Sequence, residues 1–165
     1  AAGRGPVTPE SLEEAMISRL RMLKAEDFAA LPDATEGLGN RLYRAVRSEP
    51  GVDAILSAVK TKRYPLSRLR RMLLCAALGV DAALGGDTPP YARLLASTGR
   101  GRALLREMPE DLPLITKPAA AKELDGPALT IFEKTADARD FYVLGYEAAE
   151  ERRGGSDWRT TPATL

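Results

Sequence analysis

Between residues 41 and 71 the chain gathers Arg41, Arg44, Arg47, Lys60, Lys62, Arg63, Arg68, Arg70 and Arg71, opposed only by Glu49 and Asp53. The segment has an excess of seven positive charges in a chain whose net charge is +1, so the remainder carries −6. Charge segregation of this kind implies a polyanionic partner or an acidic surface. Arginine offers a planar fork to two phosphate oxygens, and lysine offers a point charge. Tyr64, among Lys62, Arg63 and Arg68, is placed to stack on an unpaired base or to cap a ribose. The chemistry on offer is recognition of RNA or DNA rather than bond making. The same charges suit an acidic protein partner or the chain's own acidic remainder, and runs such as Arg68-Leu69-Arg70-Arg71 also occur as solvated helix faces.

Other chemistries are excluded or weak. The chain has no histidine, which removes Ser-His-Asp and Cys-His catalysis and every imidazole metal site. Cys75 is the only cysteine, so an intrachain disulfide, a zinc ribbon and a zinc finger are all impossible. It reads as a small, partly buried residue, because a reactive thiol beside Arg71 would lack a base. No P-loop, G-x-G-x-x-G or G-x-S-x-G pattern occurs. The acidic pairs Glu13/Glu14, Glu110/Asp111 and Glu150/Glu151 read as solvated or helix-end charges. Trp158 reads as an anchor folding the C-terminus onto the domain, with base stacking as the alternative. No metal or cofactor site is expected, and a catalytic role for this chain alone is not.

The elements that would hold the cations are helices. Pro9 and the acids Glu10, Glu13 and Glu14 suit a helix start, and Leu12, Met16, Leu20 and Leu23 form a stripe within a helix and its continuation over 9–31. Pro32 ends it. A second helix is expected over 35–48, with Leu38, Leu42, Ala45 and Val46 inward and Arg44 and Arg47 outward, broken by Glu49-Pro50-Gly51. A third covers 52–59. A polar connector, Lys60 to Pro65, leads to a fourth helix over 65–78. Its apolar face is Leu66, Leu69, Leu73, Ala76 and Ala77, Arg68 and Arg71 lie opposite with Arg70 at the edge, and Gly79 is the stop. Further on, 79–90 reads as loop, 91–97 and 112–116 as short strands, and 99–108 as a helix between them, a small parallel pair with a crossover. A weak helix over 119–124 precedes a longer one over 127–151, broken near 137–140, whose apolar side is Leu129, Phe132, Ala136, Phe141 and Leu144. The tail 152–165 reads as loop.

The expected fold is mainly α, a helical domain with a small two-stranded parallel β element. Its 165 residues suffice for one core without disulfides or metals. Aromatics are 5%, so the core must rest on Leu, Ala, Val, Ile and Met. The expected division is a loose or cut end over 1–8, a domain over 9–151 with its basic face at 41–71 and its βαβ-like part at 91–116, and the tail. The excess of arginine over lysine, 18 to 6, is read as a GC-rich codon bias. No apolar run approaches the roughly 18 residues that span a bilayer, and no signal peptide is evident. A reduced, cytoplasmic setting is expected.

Several segments together resemble a known family. Glu36-Gly37-Leu38-Gly39-Asn40-Arg41-Leu42 resembles the E-G-L-x-N-R-L segment of bacterial tRNA(Met) cytidine acetate ligases. Lys60-Thr61-Lys62-Arg63-Tyr64, followed by Arg68-Leu69-Arg70-Arg71-Met72-Leu73-Leu74, resembles their K-T-K-R-Y segment and its helix. Pro90-Tyr91-Ala92-Arg93-Leu94-Leu95, Gly101-Arg102-Ala103-Leu104-Leu105, Leu114-Ile115-Thr116-Lys117 and Gly155-Ser156-Asp157-Trp158 are similar to later motifs, in the same order. The resemblance runs from about residue 9 to the end. It implies an enzyme that activates acetate with ATP as acetyl-adenylate and acetylates the wobble cytidine of elongator methionine tRNA. The family was formerly grouped with predicted nucleotidyltransferases.

In that family an N-terminal domain holds an H-x-G-H-type ATP site and the C-terminal region helps hold the tRNA. A chain without histidine therefore resembles only the C-terminal part, and ATP is expected for the N-terminal, nucleotidyltransferase-like catalytic domain alone. Carried over by position are Asn40, Arg41, Lys60, Lys62, Arg63, Tyr64, Arg68 and Arg71, as contacts to RNA phosphates and a ribose or base. The expected partners are thus tRNA and that catalytic domain, with no membrane. The alternative is a non-catalytic interaction module whose basic face docks on an acidic catalytic domain or partner. Two departures stand out: Pro65 replaces a threonine able to cap the helix, and Gly39 replaces a better helix former, at about 1 kcal/mol relative to Ala.

Overall fold

The structure is a computed structural model that describes residues 6–35, 37–84, 88–107 and 112–165. The expectations for Ala1–Gly5, Glu36, Gly85-Gly86, Met108 and the Glu110/Asp111 pair lie outside the described residues. The chain divides into two compact units, Ala1–Gly85 with Phe141–Arg153, and Gly86–Asp140 with Gly154–Leu165.

The first unit is helical. After a 3-10 turn, Glu10–Leu12, come α1 (Glu13–Met22), α2 (Ala25–Ala29), α3 (Leu38–Ser48), α4 (Val52–Val59) and α5 (Leu66–Leu78). The stretch expected as one helix and its continuation breaks where Leu23 and Lys24 turn extended, and the Lys24 N–H donates to the Asp27 carboxylate at 2.8 Å. α1 packs on α3 and α5, and α3 packs on α2 and α4. The stripes meet as expected: Met16 and Leu20 of α1, Leu38, Leu42, Ala45 and Val46 of α3, Ile55, Leu56 and Val59 of α4, and Leu69, Met72, Leu73, Ala76 and Ala77 of α5 are all buried, with Phe28 among them. α5 ends in a Schellman closure. Gly79 takes φ +65° and donates to the Ala76 carbonyl, while Val80 donates to that of Cys75 at 2.8 Å.

Two glycines mark close approaches. A Cβ on Gly39 would stand 2.5 Å from the Phe28 carbonyl oxygen, so α2 and α3 can approach this closely only without one. The residue read as a departure from good helix-forming sequence is therefore a packing requirement. Gly51 leaves room for the Glu13 side chain, whose Oε1 accepts the Val52 N–H at 2.8 Å and so satisfies the start of α4 across 39 residues of sequence.

The second unit holds both β elements. β1 (Ala92–Arg93) pairs parallel with β3 (Leu114–Ile115), and α6 (Gly99–Glu107) lies between them in sequence, as the strand–helix–strand reading expected. The span expected as a single strand, 91–97, is two: Leu94 and Leu95 interrupt it, and β2 (Ala96–Ser97) pairs parallel with β4 (Ala163–Thr164). The tail read as loop therefore contains a strand. A 3-10 stretch, Pro118–Glu123, replaces the expected weak helix. α7 (Gly126–Val143) begins in this unit, runs unbroken through 137–140 and stops eight residues earlier than expected, with a 3-10 turn at Ala149–Glu151 beyond it. Ile115, Ala121 and Phe132 form the buried cluster here, with Tyr91, Leu124 and Trp158 packed on it. Trp158 meets Phe132 edge-on at 4.7 Å between centroids, an anchoring role rather than an offered stacking face.

Candidate nucleic-acid interface

The α3 helix builds the first part of a cationic face. Asn40, Arg44 and Arg47 are spaced i, i+4, i+7, with Arg41 beside them, and all four are exposed because the apolar positions face the core. Two of these guanidinium groups also close neighbouring helices. Arg41 Nη2 donates to the Val59 carbonyl at the end of α4, at 3.3 Å, and Arg47 Nη2 donates to Leu23 just past α1, at 2.9 Å. Arg47 lies 3.9 Å from the centroid of the Tyr43 ring. The same device recurs outside the basic segment: Arg21 donates to the Val46 and Glu49 carbonyls at the end of α3, and Arg19 to Ala77 in α5. A helix C-terminus presents unsatisfied carbonyls and the negative end of the dipole, so an arginine there is held by charge as well as geometry. A guanidinium has five N–H donors. Arg41 and Arg47 are thus oriented by part of their donors and keep others facing solvent.

The connector supplies the second part. Lys60, Lys62 and Arg63 are exposed. Tyr64 is not: it is 6% exposed, with its N–H bonded to Thr61, so its ring belongs to the core and offers no face to a base. Its role is different from the stacking expected. The Arg68 guanidinium carbon lies 5.4 Å and that of Arg41 5.9 Å from the ring centroid, so one buried aromatic holds arginines from two helices.

The α5 arginines separate. Arg68 is half-buried and donates to the Asp33 carbonyl at 2.6 Å and to Thr35 Oγ1 at 2.9 Å, while its buried Nε has no acceptor among the described residues. Arg71 forms an ion pair with the Asp33 carboxylate and stays exposed. That hydrogen bond holds the Asp33 carboxyl below its usual range, with the Arg71 and Arg68 charges adding to it. Arg70, two residues from Arg68, projects from another side of the helix, where its charge helps lower the Glu10 carboxyl after the larger effect of the Thr8 side chain. Asn40, Arg44 and Arg47 therefore line one side of α3, and Arg41 lies toward the connector through Val59 and Tyr64; Arg68 and Arg71 are engaged by Asp33; and Arg70 is apart. Among the described residues, Arg44, Lys60 and Lys62 make no ion pair. Asp33 escaped the sequence reading because nothing in local spacing links it to an arginine 38 positions away. The one available signal was its place in a Pro-Asp turn, since aspartate tolerates the left-handed conformation it adopts, φ +65°. Cys75 is partly buried, and burial pushes its thiol up, which makes it a poor nucleophile.

Among the described residues no group of His, Cys, Asp and Glu could hold a metal ion, and no helix is long and apolar enough to cross a membrane. Residues 1–157 match the family model described as HIGH Nucleotidyl Transferase, and the chain belongs to that family. It is similar to the tRNA(Met) cytidine acetate ligase of Thermosipho melanesiensis, 30% identical over 95% of this chain and 42% of the relative. It is likewise similar to that of Thermoanaerobacter sp., 34% identical over 87% of this chain and 36% of the relative. Among solved structures, Thermotoga maritima TmcAL in its apo form superposes with a TM-score of 0.86 at 27% identity, covering 99% of this chain and 42% of that one. A second crystal form, bound with alpha-thio ATP, gives the same TM-score. The chain thus spans about two-fifths of the length of these relatives. It contains no histidine, so its own residues do not fit a two-histidine nucleotide site, and no ATP contact is assigned to them.

Proposed function

We propose that this chain is the tRNA-contacting C-terminal region of a cytoplasmic tRNA(Met) cytidine acetate ligase, whose ATP chemistry lies in a nucleotidyltransferase-like domain outside these residues. The observation that carries the reading is α3: Asn40, Arg44 and Arg47 lie exposed in one row with the exposed Arg41 to its side, two of the arginines are held in place by helix ends, and the exposed Lys60 and Lys62 follow on the connector. Pre-oriented guanidinium groups lose less side-chain entropy on meeting phosphates than free ones. The kinship to ligases named for tRNA(Met) supports RNA as the polyanion. The chain's contribution is then binding and positioning, and the acetyl transfer belongs to the rest of the parent enzyme.

A gel-shift of the purified chain with elongator methionine tRNA at two salt concentrations tests this. With about five phosphates engaged, log K falls with log salt at a slope near −4. The triple variant R44E/K60E/K62E is expected to bind about tenfold or more weakly, for all tRNAs alike. Its thermal stability should stay within about 0.5 kcal/mol of wild type, because all three side chains are exposed. Equal affinity of variant and wild type would remove these residues from the interface. A wild-type chain that ignores tRNA but binds the catalytic domain would replace the RNA reading with a docking one.

A further inference from the structure

We infer that Asp33 is an internal competitor for the polyanion: its carboxylate occupies the place a phosphate would take on Arg71, and so restrains this edge of the basic face. Resting on the RNA reading above, the inference deepens it by separating cations that are open to phosphate from one that the chain itself engages.

The loop between α2 and α3 carries Asp33 and is fixed from both sides. The buried Leu31 anchors it, the Ala34 N–H donates to the Leu31 carbonyl at 3.1 Å, and the Thr35 N–H donates to the Asp33 carbonyl at 2.8 Å. The Ala82 N–H donates to Ala30 at 3.0 Å on its other flank. From this loop Asp33 serves two arginines by two different groups. Its backbone carbonyl accepts from Arg68, and its side chain pairs with Arg71. The first bond does not involve the carboxylate charge and holds Arg68, which lies beside Tyr64. The second is the one a phosphodiester can replace, because carboxylate and phosphate both offer two oxygens to the guanidinium fork. The Asp33 and Arg71 side chains are 42% and 60% exposed, so an incoming strand can reach the pair. An ion pair this exposed is weak, comparable to a single phosphate contact, which makes the competition close to balanced. The turn itself does not require the carboxylate: at φ +65° asparagine serves as well as aspartate.

The variant Asp33→Asn keeps the turn and the carbonyl bond to Arg68 while removing the competing charge. In the full chain at low salt it should bind elongator methionine tRNA about two- to fivefold more tightly than wild type. Its log K against log salt should be steeper by about one, as Arg71 becomes a phosphate ligand. Both gains should vanish when D33N/R71Q is compared with R71Q. Inorganic polyphosphate, titrated in parallel, separates this idea from the RNA reading. If both proteins bind tRNA with equal affinity and slope, Asp33 is no competitor and the RNA reading stands. If neither binds tRNA but D33N gains affinity for polyphosphate, the competition stands and the RNA reading falls. If neither protein binds either polyanion, both are overturned.

Discussion

In the second unit Arg93 points inward. It forms an ion pair with Asp157 at 3.1 Å in which the side chains are only 19% and 16% exposed, donates to the Asp157 carbonyl at 3.2 Å, and lies 5.4 Å from the Phe132 ring centroid. In the first unit Arg41, Arg44 and Arg47 point outward, and where they bond to protein they bond to carbonyls at helix ends. Arg93 and Arg41 both lie in segments that resemble the same family's motifs. The difference teaches that a shared motif can answer to two demands. In the second unit the motifs Pro90 to Leu95 and Gly155 to Trp158 meet each other, Arg93 with Asp157 and both Tyr91 and Trp158 against Phe132, so they maintain a small core. In the first unit the motif residues divide between core, as Leu38, Gly39 and Tyr64, and an open cationic surface.

The contrast can be broken where it is strongest. Phe132→Ala empties the centre of the second unit and should cost about 3–5 kcal/mol by denaturant unfolding. A cost under about 1 kcal/mol would mean that the Arg93, Tyr91 and Trp158 contacts are incidental. Next comes Gly39→Ala. Helix propensity alone makes this substitution favourable by about 1 kcal/mol. The contact with the Phe28 carbonyl reverses the sign, to a loss of about 1–3 kcal/mol, and thermal melts decide between them.

The smallest effect belongs to Asp33. Its carboxyl is held below the unfolded value by Arg71, so it contributes stability present above the unfolded pKa and lost as pH falls through the folded one. Stability of Asp33→Asn should therefore fall less than that of wild type in this acidic window, and match its pH dependence near neutrality. Parallel acid curves for the two proteins would remove the pair from the pH dependence.

In the first unit α3 and α5 were legible because each apolar stripe repeats at helical spacing and ends at a recognisable breaker, Glu49-Pro50-Gly51 or Gly79, whereas the break at Leu23-Lys24 carries no such signal. The second unit was less so. Its strands are two residues long, too short for alternation to register, and β4 exists only because Leu95 and Ser97 accept hydrogen bonds from Ala163 and Leu165. The candidate site was half legible. Helical phase predicted that Arg44 and Arg47 would point to solvent, and they are exposed.

Charge count, the absence of histidine and the apolar periodicity are local properties, and the sequence alone determined from them a helical chain with one cation-rich segment and no imidazole site. Which cations remain open to a polyanion was decided by tertiary contacts. Tyr64 was drawn into the core by its neighbours, Arg41 and Arg47 were turned onto the ends of other helices, and Arg71 was engaged by a carboxylate from a distant turn. A side chain's partners depend on which segments meet in space, and neither spacing nor composition encodes that meeting.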